Sequence, residues 1–243
     1  ITCGAIADLV LVFGSLDEKP AALLIETATP GLRVERLREM LGFRAAHLAK
    51  LSFDGCEVPE AQLIGRPGFA LMYLAPYALD FGRVSVAWAC LGMIRACLET
   101  CAQHILTRRT FGHLLADHGM IQTLITNLGI HHQATLLHTL QACRARDRGD
   151  VTASEATLAA KYLASRTAVQ ETTNAVQIMG ALGCDEEGAI ARHFRDAKTT
   201  EIIEGSNQII EALLAKNIAR AGRDNYRRFL DAEVEPGRAG GAP

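Results

Sequence analysis

The spacing of apolar positions changes once along this chain, near Gly68. Ahead of it the apolar runs are short. Ala7-Asp-Leu-Val-Leu-Val-Phe13 closes at Gly14-Ser15, and Ala21-Ala-Leu-Leu-Ile25 closes at Thr29-Pro30-Gly31. From Ala49 to Asp54, Ala49, Leu51 and Phe53 alternate with Lys50, Ser52 and Asp54. That period of two predicts strands with one wet face, and the Pro, Gly and Asp between them are turn residues. Residues 1–68 are therefore expected to form a β unit. Its pattern starts in mid-run, so strands are expected to be missing from its front. Beyond Gly68 the period becomes helical, with segments at about 69–78, 83–108, 115–148, 153–180, 186–197 and 206–220. Gly112, Gly149-Asp150 and Gly180…Gly183 mark the joints. Long helices on short turns predict an antiparallel four-helix bundle over 69–221, and alanines such as Ala87, Ala160, Ala164 and Ala168 suit close helix contacts. Residues 222–243, rich in Gly and Pro, predict a solvated tail. The fold class is α+β.

Composition narrows the function classes. The chain has 243 residues, 49% of them hydrophobic, enough to bury a real core. Its 25 basic and 27 acidic residues are well mixed, for a net charge of −2. That leaves no basic footprint for nucleic acid and no polybasic patch for a membrane surface. No run approaches the roughly 18–20 consecutive apolar residues that span a bilayer. Seven scattered cysteines without a Cys-x-x-Cys pair indicate neither a zinc ribbon nor a disulfide framework, which suits a reducing cytoplasm. No metal is expected: His131, His132 and His138 lack a carboxylate at ligand spacing, and His113 and His118 fall on different helix faces. There is no P-loop, Gly-x-Ser-x-Gly or Gly-x-Gly-x-x-Gly motif.

Three stretches depart from plain bundle sequence. In the first, Glu204-Gly205-Ser206-Asn207 opens a helix whose Ile209, Ile210, Leu213, Leu214 and Ile218 recur at helical spacing. Ser206 and Asn207 are natural N-cap residues, and Gly205 permits close approach to the backbone. Glu204 is thereby held on a turn beside a core-facing helix. Such a glutamate is either a catalytic carboxylate or a simple partner of the helix dipole. In the second, Thr107-Arg-Arg-Thr-Phe-Gly112 sets two guanidinium groups beside a hydroxyl and an aromatic ring. It suits a diphosphate or, equally, caps a helix C-terminus. In the third, Gln177-Ile-Met-Gly-Ala-Leu-Gly183 either presents backbone to a nucleotide or ends a helix.

The order of these parts is more specific than any one of them. A β unit, helical segments, Arg-x-Thr-Phe-Gly, Gln-Ile-x-Gly-x-x-Gly, and Arg195-Asp-Ala-Lys198 followed by Ile203-Glu-Gly-Ser-x-Gln208 together resemble the acyl-CoA dehydrogenase family, from Ile1 to about Arg220. Thr29-Pro-Gly31 and Val58-Pro59 look like that family's middle β-domain, and Ile1-Thr2 looks like the end of its Trp-Ile-Thr flavin motif. The resemblance implies FAD as cofactor and an acyl thioester, on CoA or an acyl carrier protein, as substrate. It further implies an electron acceptor such as electron-transfer flavoprotein, a homodimer or homotetramer, and an N-terminal helical domain that would lie ahead of Ile1.

The resemblance also implies roles. Glu204 matches the base that removes the α-proton. Arg108, Thr110 and Phe111 match contacts to the FAD of an adjoining subunit, and Gln177, Gly180 and Gly183 match the turn on its adenosine. Ser206, Gln208 and Thr2 match further flavin contacts, while Asp80, Arg83 and Gly205 match the thioester pocket. Some relatives carry the base where this chain has Gly82, leaving Glu204 as the candidate. Cys3, Gly82, Gly119 and Ala181 depart from the usual pattern, and Gly82 is expected to leave a hole in the pocket wall. The runs Asp80–Cys97 and Glu201–Ser206 look most like the carrier-protein-linked branch, whose members make alkoxymalonyl-type extender units for polyketides. An acyl-CoA dehydrogenase of short or branched substrates, an oxidase, and a non-catalytic helical scaffold are the other readings.

Overall fold

The computed structural model describes residues 1–219. The expected tail, 222–243, and the end of the last helix lie outside the described residues.

The β unit holds β1 (Leu9–Leu16), β2 (Lys19–Glu26), β3 (Leu32–Arg36) and β4 (Ala49–Phe53). β1 and β2 form an antiparallel hairpin closed by Asp17-Glu18. Both turn residues have positive φ, 48° and 63°, which matches the turn twist that two-residue hairpins favour. β3, which the sequence pattern did not predict, pairs antiparallel with β4. Leu32 and Val34 do alternate with Arg33 and Glu35, but a run of five with two apolar positions, Val34 exposed, is a weak signal. The expected barrel or continuous sheet is instead two separate two-stranded pairs among the described residues. The segment after β4 returns along β2, where the Ile64 and Gly68 N–H groups donate to the Ala22 and Pro20 carbonyls at 2.8 and 2.7 Å.

A π-helical turn, Ala70–Leu74, leads into α1 (Ala75–Thr107). The predicted break between 78 and 83 is absent. Asp80 and Arg83 interrupt the apolar pattern there but point inward as an ion pair, so the helix runs on with a polar patch on its buried face. The unbroken helix 70–107 is long and apolar enough to cross a membrane by length and composition. Here its inward face is packed against other helices.

A short hairpin, β5 (Arg109–Thr110) and β6 (His113–Leu114), then reverses the chain into α2 (Gly119–Asp147). Next come α3 (Ala153–Met179), a 3₁₀ turn at Gly180–Cys184, α4 (Ala189–Thr200), and helix α5 over 207–219. α3 packs against α1, α2 and α4. Its Ala160, Ala164, Ala168 and Ala175 let it approach Cys90, Ile94, Cys97 and Cys101 of α1 and Leu128 and Ala142 of α2. All seven cysteines are free thiols.

The β unit is pinned to α4. The Phe43 N–H donates to Asp196 Oδ1 at 2.6 Å. Gly42 packs so closely that a methyl there would lie 2.7 Å from the Arg195 carbonyl carbon and 2.8 Å from Asp196 Cα. α4 runs straight into the turn that carries Glu204, so this seam fixes the β unit relative to that turn.

Candidate active site

The turn between α4 and α5 is strained, and two buried cations hold it. Glu204 has φ 56°, a left-handed conformation that costs a non-glycine residue on the order of 1 kcal/mol, and Gly205 follows with φ 91°. Successive carbonyls of this turn are captured from two different helices. Arg83 Nε of α1 donates to the Glu204 carbonyl at 3.1 Å, and Lys161 Nζ of α3 donates to the Gly205 carbonyl at 2.8 Å. The Asn207 N–H donates to the Glu201 carbonyl at 2.9 Å and closes the loop behind them.

The Glu204 carboxylate lies against Gly82 of α1. A methyl at Gly82 would sit 2.9 Å from Oε1 and closer still to Cδ and Oε2. The expected hole at Gly82 is therefore filled by the glutamate's own carboxyl group. Positions 82 and 204, far apart in the chain, thus converge on one point in space.

Asp80 and Arg83, predicted to line the thioester pocket, are 5% and 8% exposed and spend their polar atoms on one another and on the fold. Asp80 Oδ1 meets Arg83 Nη1 at 3.4 Å. Its Oδ2 accepts from Arg146 Nη1 at 3.0 Å and from the Ser154 hydroxyl at 2.5 Å. Arg146 in turn stacks over Phe81, 4.9 Å from the ring centroid. This buried network ties α1, α2 and α3 together and leaves Arg83 Nε free for the Glu204 carbonyl. The pair supports the base turn from below.

The residues with predicted cofactor roles fall in three places. Phe111 stands at the tip of the β5–β6 hairpin with φ 52° and 95% exposure. Arg108 is exposed beside it and makes no ion pair among the described residues. Thr110 Oγ1 meets His118 Nε2 at 3.0 Å, so His118 braces the hairpin from the start of α2. Gln177 and Gly180 are exposed at the end of α3, whereas Gly183 is buried. A methyl at Gly183 would lie 2.7 Å from the Val176 carbonyl oxygen, so this glycine serves the packing of the turn and does not present backbone to a ligand. Ser206 is half-buried and Gln208 exposed beside the Glu204 turn. Thr2 is exposed on a segment whose neighbour Cys3 donates its N–H to the Ala46 carbonyl at 2.8 Å, placing it on the seam with α4.

This donor set fits a flavin dinucleotide. An unpaired guanidinium suits a diphosphate and an exposed aromatic ring suits an adenine.

Sequence reasoning missed Lys161, Arg146 and Ser154, and gave Asn207 only a helix-capping role. Lys161 did leave a signal. It shares its helix face with Leu158, Ala164, Ser165 and Ala168, all buried, so a lysine sits on an apolar stripe where it needs a partner.

The model of the acyl-CoA dehydrogenase C-terminal domain matches residues 72–219. The chain belongs to the acyl-CoA dehydrogenase family, whose members are FAD-dependent oxidoreductases. Rat mitochondrial short-chain specific acyl-CoA dehydrogenase is 31% identical over 222 residues, which cover 89% of this chain and 53% of that protein. Among solved structures, butyryl-CoA dehydrogenase from Megasphaera elsdenii is similar with a TM-score of 0.84 and 29% identity, covering 89% of this chain and 57% of that one. FkbI, for biosynthesis of the methoxymalonyl extender unit of a polyketide immunosuppressant, is similar with a TM-score of 0.81 and 34% identity, covering 91% and 60%. The chain spans about half the length of the curated relatives it matches.

Proposed function

We propose that this chain supplies the base and half of the cofactor site of an FAD-dependent acyl-thioester dehydrogenase, with Glu204 removing the α-proton. The observation that carries this reading is the Glu204 turn itself. A strained left-handed residue is held at its backbone carbonyl by Arg83, and its carboxylate is laid against Gly82, a helix position that offers no side chain. Strain of that kind is kept where placement of the group matters.

The residues divide the work. The Glu204 carboxylate accepts the α-proton, and its backbone N–H is placed to polarise the thioester carbonyl. Arg83, Asp80, Arg146 and Ser154 keep the turn in register with α1. Arg108, Thr110, Phe111, Gln177, Gly180, Ser206, Gln208 and Thr2 would hold FAD, which when bound supplies the hydride acceptor. α1, α2, α3 and α5 would form the family's antiparallel four-helix bundle. The exposed hairpin argues for a homodimer or homotetramer in which Arg108 and Phe111 reach a neighbouring subunit's cofactor. Electron-transfer flavoprotein is the natural acceptor on family grounds, and the cytoplasm the natural compartment.

For the substrate we favour a small acyl group on an acyl carrier protein, in polyketide extender-unit biosynthesis. The similarity to FkbI, at 34% identity, supports it. A short acyl-CoA is the second reading, supported by the 31% identity to short-chain acyl-CoA dehydrogenase. In the full-length protein, Glu204→Gln is expected to keep its flavin yellow and to lose substrate-dependent bleaching. Full bleaching by that variant would assign the proton to another base. Comparing bleaching rates for one acyl group on carrier protein and on CoA separates the two substrate readings.

A further inference from the structure

Lys161 is the largest side chain sealed completely from solvent, and the chemistry outlined above leaves it unused. Its ammonium reaches two acceptors, both on the base turn: the Gly205 carbonyl at 2.8 Å and Asn207 Oδ1 at 3.0 Å. Ser165, one helical turn further along α3, donates to the same Asn207 oxygen at 3.1 Å. A buried lysine whose hydrogen bonds all land within three residues of one carboxylate is organised around that carboxylate's position. Removing it would leave the half-buried Gly205 carbonyl without this donor and the Asn207 amide oxygen with Ser165 alone, at the point where α5 begins.

Resting on the reading of Glu204 as the base, we propose that Lys161 is a positioning residue for proton abstraction. From α3 it fixes the Gly205–Ser206 peptide, one peptide beyond the Glu204 carbonyl that Arg83 grips from α1. The groups that face its ammonium are Cys90 and Arg83 on α1 and Glu201 and Glu204 on the turn. Burial pushes the lysine down to about 8, and Arg83 adds to this. Cys90 and the two glutamates oppose it, so the group is still charged at neutral pH. Its charge strengthens the hydrogen bond by which it holds the backbone.

The test compares Lys161→Met, which removes donors and charge, with Lys161→Gln, which keeps an amide donor, both in the full-length FAD-loaded enzyme beside wild type and Glu204→Gln. Lys161→Met is expected to keep wild-type flavin content and KM within about threefold. It should slow anaerobic flavin bleaching roughly 100-fold, as for a misplaced catalytic group. Lys161→Gln is expected to recover at least tenfold in kcat, because a donor to the turn returns. A Lys161→Met enzyme that melts lower yet keeps wild-type kcat has lost only a structural lysine, and overturns the proposal. If Lys161→Met does not fold, Asn207→Ala decides: wild-type kcat at wild-type flavin content overturns the proposal, and a tenfold or greater fall supports it. Absence of bleaching in wild type would overturn the dehydrogenase reading itself, and this proposal with it.

Discussion

Adding one methyl group at Gly82 should separate activity from stability in this protein. Gly82 lies inside α1, where alanine is ordinarily better than glycine by up to about 1 kcal/mol. On helix propensity alone, Gly82→Ala is a stabilising change. The methyl, however, would enter the space of the Glu204 carboxylate, 2.9 Å from Oε1 and nearer to the other two carboxyl atoms. The colliding atoms are the end of a flexible side chain, so the backbone need not move. The carboxylate has to retreat on the order of 1 Å to reach an ordinary van der Waals separation. A displacement of that size at a reacting group costs about 100-fold in rate.

The expected result is therefore a protein that melts at or above the wild-type temperature, carries normal flavin, and bleaches that flavin about 100-fold more slowly. Thermal melts and anaerobic stopped-flow with the acyl thioester measure the two quantities on one sample. Wild-type bleaching by Gly82→Ala would refute the argument, because the carboxylate could then not be working from where it lies. A large fall in melting temperature would refute it differently, by showing that backbone and not side chain absorbs the clash.

Three further outcomes follow from the same geometry. Asp80→Asn removes a buried charge that balances Arg83 and Arg146, so it should cost about 3–5 kcal/mol and lower the melting temperature by roughly 10 °C; a shift under 2 °C would mean the network is dispensable. Burial raises the thiols of Cys90 to about 11 and of Cys97 and Cys101 to about 12, from an ordinary value of 9.0. The unfolded chain sheds these protons first, so above pH 9 each thiol withdraws about 1.4 kcal/mol of stability per pH unit. Lys161, with its folded value lowered to about 8, works in the opposite sense between pH 8 and 10.5. In urea titrations from pH 8 to 10.5, Cys101→Ala should show a shallower alkaline decline than wild type, and parallel curves would contradict it. Phe111→Ala removes a ring that is 95% exposed, so it should change stability by no more than about 0.5 kcal/mol while lowering FAD content; unchanged FAD content would free the hairpin from any cofactor role.

The sequence made some of this site legible and hid the rest for identifiable reasons. Helical periodicity located α3 and the end of α2 to within one residue but began α2 four residues early, where a 3₁₀ turn at Leu115–Asp117 precedes the helix. It broke α1 at 79–82 because Asp80, Gly82 and Arg83 look like a joint when no partner is visible. Their partners, Arg146, Ser154 and Glu204, lie 66 or more residues away along the chain. β3 escaped notice because its alternation, Leu32 and Val34 against Arg33 and Glu35, is only two apolar positions long and mostly exposed. Glu204 was readable from its local motif, but Lys161 was not, since its two acceptors are a backbone carbonyl and an asparagine more than 40 residues downstream.

The same long-range partners explain how a turn can hold a base steadily. Loops ordinarily place side chains less exactly than helices do, because fewer contacts fix them. At Glu204 the two peptides most exposed to strain, those following the φ 56° and φ 91° residues, are each tied to a cation rooted in a different long helix. Arg83 is itself anchored by Asp80, and Asp80 by α2 and α3 through Arg146 and Ser154. Any motion of the base turn must then break a charge-assisted hydrogen bond in the interior, which is costly where no water can replace it. The carboxylate thus inherits the rigidity of α1 and α3 while resting against Gly82, where no side chain displaces it.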